Sequence, residues 1–327
     1  MIHPYDSAEV SFMSQQHIPN RRHGLTIIEL LIVFGIIGIL LALVMTAVMG
    51  AKGQGKKLQE KNSIRQLGNG WLKYSQLHRD RVMPGWLSTN TQEDWESTIL
   101  YPDGQIVPPA PSFSSGLPNI AGPWTYRLLP YVDNEISIFR EHLDRDPLNH
   151  WSDLDTDKRQ EIGEQPGFGM NAYFMGGVWD RWYNNMSRTH PRFSKSLNAL
   201  GKKVNLPVTS LSMMRNPSTV ITFISNAGGT KGELLLAADD DPGHWLATPH
   251  RLGEEGQWSI NDRGEIELIK GTSAPIGRHG GRPVTWHPDG HVESISLEKL
   301  RDQQRWIDRA EDVPGYPAEN FWYEEDR

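Results

Sequence analysis

The amino-acid sequence predicts an α+β protein, with a long N-terminal hydrophobic spine helix packed on a loop-rich antiparallel-sheet head. Three observations predict it. Leu30 to Ala51 is a run of 22 residues without a charge. Beyond it, Leu58, Ile64, Leu67, Trp71 and Tyr74 recur as one apolar stripe of a continuing helix. After residue 82 the chain becomes rich in Gly, Pro and Trp, with β-branched runs and an Asp-Gly pair set between two of them.

The uncharged run comes first. As a helix it is roughly 33 Å long, enough to cross a hydrocarbon core of about 30 Å. A buried core helix is seldom apolar on every face for this length. A secretory signal would have a shorter apolar region ending in a small-x-small cleavage site, and no convincing one follows. The pair Arg21-Arg22 alone is a weak match to a twin-arginine signal. Gly35 and Gly38 inside the run suit close helix approach in lipid, although glycine is frequent in membrane spans. The helix is expected to continue from Leu25 to about Leu77, roughly 80 Å in all. Lys56, Lys57, Glu60, Lys61 and Arg65 would occupy its other faces, and Pro84-Gly85 marks the stop.

Charge is uneven along the 327 residues. The formal net charge is −7, yet residues 51–81 carry +6 and the 246 residues after them −12. A basic stem therefore joins an acidic head, which argues against nucleic-acid binding. Cysteine is absent, which removes disulfides, zinc ribbons, iron–sulfur clusters and thiol nucleophiles together. No serine nucleophile elbow, phosphate-binding loop or dinucleotide fingerprint is present.

The segment Arg21-Arg22-His23-Gly24-Leu25-Thr26-Ile27-Ile28-Glu29 leads into the apolar run. It resembles the type IV prepilin and type II secretion pseudopilin signature, in which a basic leader ends in Gly and Glu stands fifth in the mature chain. The resemblance implies a leader over 1–24, cleavage after Gly24 by a prepilin peptidase, and N-methylation of Leu25. It implies a transmembrane half of the spine over 25–51, a basic amphipathic half over 52–81, and a pilin-like head over 82–327. It implies a single pass through a bacterial inner membrane, with the head on the periplasmic or extracellular side. A count of Lys and Arg around the span points the other way, because more of them follow the run than precede it. A carboxylate at the edge of an apolar helix needs a partner or must reach the headgroups. In the family, Glu at the place of Glu29 pairs with the N-terminus of a neighbouring subunit.

In the head, residues 105–123 read as a long proline-rich loop. Trp124 to Val132 resembles a block of large pilin-like proteins with the same leader. Helices are expected over 134–142 and 155–163, and strands over Thr219–Ser225 and Glu233–Ala238. His279, nine further residues and then Asp289-Gly290 resemble the H-x9-DG signature of a large prepilin-like family of planctomycete-type bacteria. Asp-Gly predicts a two-residue type I′ hairpin between strands 283–288 and 291–296, spanning the motif at 279–290. Pro288 cannot donate a ladder bond, which places that strand at an edge.

His279, His287, Asp289 and His291 form a candidate metal cluster. The Asp-Gly turn would break the shared face of 287, 289 and 291, and a structural hairpin is the expected reading. Asp239-Asp240-Asp241 with His244 is expected to be a solvated acidic loop, since the alternating EF-hand pattern is missing. No resident cofactor is expected, with calcium or zinc the ions left open. Eleven of twelve tryptophans lie at Trp86 or beyond and are expected in the core.

The expected function is structural: a subunit of a type IV pilus-like filament or secretion pseudopilus, whose partners are the prepilin peptidase, related subunits and the inner membrane. It is not expected to be an enzyme. The alternative is a membrane-anchored hydrolase or metal enzyme using His279, Asp289 and His291.

Overall fold

The structure is a computed structural model and describes residues 26–88, 122–139, 154–179, 196–197, 203–204, 206–235, 242–252, 255–278 and 282–312. A long apolar N-terminal helix is followed by short, mostly antiparallel strands, an α+β arrangement. The chain divides into two compact units, Met1–Ala51 and Lys52–Arg327. The helix α1 (Ile27–Leu77) runs through the boundary.

In the first unit, large apolar side chains from Ile27 to Val48 are exposed on every face of the helix. Water would penalise so much apolar surface, and hydrocarbon would not. This helix is long and apolar enough to cross a membrane.

The second unit holds both hydrophobic cores, and every residue of them lies beyond Lys52. Here α1 buries Glu60, Ser63, Ile64, Leu67, Trp71, Tyr74 and Ser75. The expected stripe is thus corrected at one end. Leu58 is exposed and Glu60, expected on an outer face, is buried. At about 100° per residue, a spacing of six puts Leu58 about 120° from Ile64, whereas a spacing of four brings Glu60 to within about 40°. The buried carboxylate is matched by Ser225, whose hydroxyl donates to Glu60 Oε1 at 2.5 Å. The helix ends at Leu77, and the left-handed Arg79 and Asp80 (φ 53° and 72°) turn the chain before Pro84 is reached.

The central strand, Phe223–Gly228, is buried throughout. It pairs antiparallel with Phe168–Met170, Ser273–Pro275 and Val284–Trp286, and the last of these pairs with Val292–Ser294. The expected strand at Thr219–Ser225 is shifted. The Asp308 carboxylate accepts the backbone N–H groups of Arg215 and Asn216, and Asn216 O then accepts from Thr219 and Val220, so the first residues of the run form a turn. Of Glu233–Ala238, Leu234–Leu235 is strand, Glu233 precedes it with its carboxylate on Thr230, and 236–238 lie outside the described residues. Val284–Trp286 is interior and not an edge, because Pro288 lies past the ladder where no donor is needed.

The helix at 155–163 is observed as Thr156–Glu164, capped by Asp155, whose side chain accepts from Lys158 N at 2.8 Å. Of the helix expected over 134–142, only Ser137–Phe139 forms a single 3-10 turn; Asn134, in the left-handed region at φ 58°, and the two residues after it are not helical, and 140–142 lie outside the described residues. Trp124–Leu128 is helical and continues as a 3-10 turn over Leu129–Val132. Trp71, Trp124, Trp258, Trp286 and Trp306 are fully buried, so these serve the core. Trp71 meets Trp286 edge-on at 5.6 Å, which anchors α1 to the sheet.

Candidate functional site

Two places carry the chemistry singled out above: the start of α1 and the hairpin at Asp289-Gly290.

At the start of α1, Thr26 and Glu29 form a reciprocal capping box. Glu29 Oε2 accepts from Thr26 N at 2.8 Å and from Thr26 Oγ1 at 2.9 Å, and Glu29 N donates to Thr26 Oγ1 at 3.2 Å. Two donors that a helix start leaves open are thereby satisfied. The other carboxylate oxygen takes no partner among the described residues. The Thr-x-x-Glu spacing of this box is readable in the sequence. Gly24 and Leu25 lie outside the described residues.

Residues 19–45 match the family model described as the prokaryotic N-terminal methylation motif. The match covers the basic pair, Gly24, Leu25, Glu29 and most of the apolar run. It supports a type IV pilin-like or pseudopilin-like subunit in general, and with the single N-terminal apolar helix it fits a single-pass membrane-anchored protein. The curated proteins and the solved structures give no match to the chain.

At the hairpin, the pairing of Trp286 with Val292 leaves His287 facing His291, with His287 N donating to His291 O at 3.1 Å. The connection is therefore a three-residue loop, Pro288-Asp289-Gly290, and not the expected two-residue type I′ turn. Gly290 N donates to His287 O at 2.8 Å, and only Gly290 has positive φ, at 92°. Pro288 takes the first loop position, where its fixed φ fits, and Gly290 takes the left-handed position before the second arm. Asp289 Oδ1 accepts from His291 N at 3.1 Å and contacts His291 Nδ1 at 2.6 Å.

The turn was expected to separate the histidines, and it instead brings them together. Thr285 and His287 on one arm face Glu293 and His291 on the other. The two imidazoles stack at 4.1 Å, 6° from parallel. His287 is fully buried. Its Nδ1 lies 3.0 Å from Val220 O, and its Nε2 lies 3.1 Å from Thr285 Oγ1 and 3.3 Å from Glu293 Oε1. Burial, with the neighbouring His291 second, pushes the His287 pKa down to about 4, so the ring is neutral at pH 7. Arg305 Nη1 donates to Glu293 Oε1 at 3.0 Å.

His279 and Asp239-Asp240-Asp241 lie outside the described residues, and His244 is engaged with the backbone of Leu246. Glu293 and Thr285 belong to no sequence motif, and only the hairpin register brings them to the histidines.

Proposed function

We propose that the chain is a structural subunit, cut between Gly24 and Leu25 by a prepilin peptidase and N-methylated on Leu25. It then assembles with copies of itself or related subunits into a type IV pilus-like filament or a type II secretion pseudopilus. In this reading the apolar half of α1 holds the protein in the inner membrane and later packs against its counterparts in the filament. The head lies on the periplasmic or extracellular side and has an architectural role, not a catalytic one.

The observation that carries this reading is a methylation-motif match running directly into a helix whose apolar side chains are exposed all round. Glu29 serves twice. One oxygen caps its own helix, and in this reading the other accepts a hydrogen bond from the cationic amino group of a neighbour's Leu25, a charge pair strengthened by an apolar setting. The test is recovery in a sheared surface fraction or in crosslinked ladders. The wild-type chain should appear there, and a Gly24 variant that blocks the cut should remain in the membrane. A wild-type chain that stays monomeric in the membrane when the peptidase is active would refute the reading.

A further inference from the structure

We propose that His287, His291 and Glu293 bind one divalent ion of the zinc class, which clasps the two arms of the C-terminal hairpin. One ligand atom from each of the three lies within 4.8 Å of the others.

Each imidazole has Nδ1 engaged behind it and Nε2 to offer, that of His287 once the Thr285 hydroxyl at 3.1 Å turns away. A carbonyl can only accept, so the 3.0 Å contact with Val220 O puts a proton on His287 Nδ1, and Nε2 lies beside Thr285 and Glu293. Asp289 takes Nδ1 of His291 and leaves its Nε2. A carbonyl or carboxylate behind each ring is the arrangement that orients metal-ligating histidines.

His287 Nε2 and Glu293 Oε1 stand 3.3 Å apart, close enough to share one ion. An ion entering here would displace the Thr285 hydroxyl from Nε2 and compete with Arg305 for Oε1. In a tetrahedral site with bonds of about 2.0–2.1 Å, adjacent donors stand about 3.3 Å apart. His287 and Glu293 thus already hold the spacing of one tetrahedral edge.

His291 supplies the adjustment. Rings stacked nearly parallel at 4.1 Å cannot both aim in-plane lone pairs at one ion. The His287 side chain is fully buried, whereas that of His291 is 40% exposed and would turn to present Nε2, its Asp289 partner, 35% exposed, moving with it. Two imidazoles and one carboxylate suit zinc, cobalt, nickel or copper rather than calcium or magnesium, which want oxygen ligands. A water would complete the coordination. Arg305 donates to the same Glu293 Oε1, so its charge competes with the ion for that ligand atom.

The test uses the full-length protein in detergent, stripped with chelator and titrated with zinc chloride by calorimetry. One ion per chain should bind. His291→Gln and Glu293→Gln should each weaken binding at least tenfold, Arg305→Gln should tighten it, and calcium chloride should give no heat. Cobalt(II) should produce a tetrahedral absorption band that His291→Gln abolishes. In the wild-type chain, zinc should also shield His291 from carbethoxylation, a readout that needs no variant to fold. Zinc binding unchanged in both glutamine variants, no binding at millimolar zinc, or no shielding of His291 would each overturn the proposal.

Discussion

Replacing Gly68 by Ala should destabilise the head, although the same change elsewhere in a helix stabilises it. In a helix interior Gly→Ala is worth about 1 kcal/mol in favour of Ala. At Gly68 an added Cβ would stand 1.9 Å from Trp286 Cε2 and 2.2 Å from Nε1. Carbon atoms settle at about 3.5 Å or more, so the indole would have to retreat by about 1.6 Å. Trp286 is fully buried, with Trp71 at 5.6 Å and Phe223 at 6.0 Å. With no room to retreat, overpacking costs about 3 kcal/mol, the top of the usual range. The net loss is about 2 kcal/mol, a fall in Tm on the order of 5 °C for a domain of this size. Gly53 has nothing within 4 Å of its added Cβ, so Gly53→Ala is the control and should leave Tm unchanged or raise it. The assay is thermal unfolding of the full-length protein in detergent, followed by tryptophan fluorescence. If Gly68→Ala matched or exceeded the wild type in Tm, the close seat of α1 on Trp286 would be wrong.

Glu29→Ala should insert and be processed normally, fray the first turn of α1 through loss of the capping box, and fail to enter filaments; crosslinked ladders as strong as wild type would count against the double role. Gly290→Val should lower head stability by about 2 kcal/mol, because a β-branched residue tolerates the φ of 92° poorly, and unchanged unfolding would show that the loop accepts another geometry. Acid should weaken the head through His78, His244 and His250, each held below the ordinary 6.5 chiefly by burial. The unfolded chain binds more protons as pH falls through 6.5, so this stability is complete above that value and lost below it. Melts at pH 7.5 and 5.5 check it, and a Tm that rose on acidification would contradict the sign.

What could be read from the sequence was what local rules decide. The span announces itself by length without charge, and the end of α1 at Leu77 and the helix Thr156–Glu164 follow from periodicity and capping residues. The readings that failed depend on partners distant in the chain. Leu58 joined the stripe on hydrophobicity although its spacing of six turns it away, and Glu60 was placed outside because its partner Ser225 is 165 residues distant. The run Thr219–Ser225 has strand propensity throughout, but Asp308, 92 residues on from Asn216, folds its start into a turn. At the hairpin, Asp-Gly drew attention to a two-residue turn, whereas Pro288 makes the loop one residue longer. That single residue decides that His287 faces His291. The candidate ion site is therefore half legible: the sequence shows its histidines, but the turn that argues against their sharing a face belongs to the loop that pairs them.

The central claim rests on the mature N-terminus. Intact mass and N-terminal peptide analysis of the protein, purified from cells with an active prepilin peptidase, test it directly. The account predicts a chain that begins at Leu25 and carries one methyl group on its α-amino nitrogen. A membrane form still beginning at Met1, or one cut elsewhere and unmethylated, would contradict it.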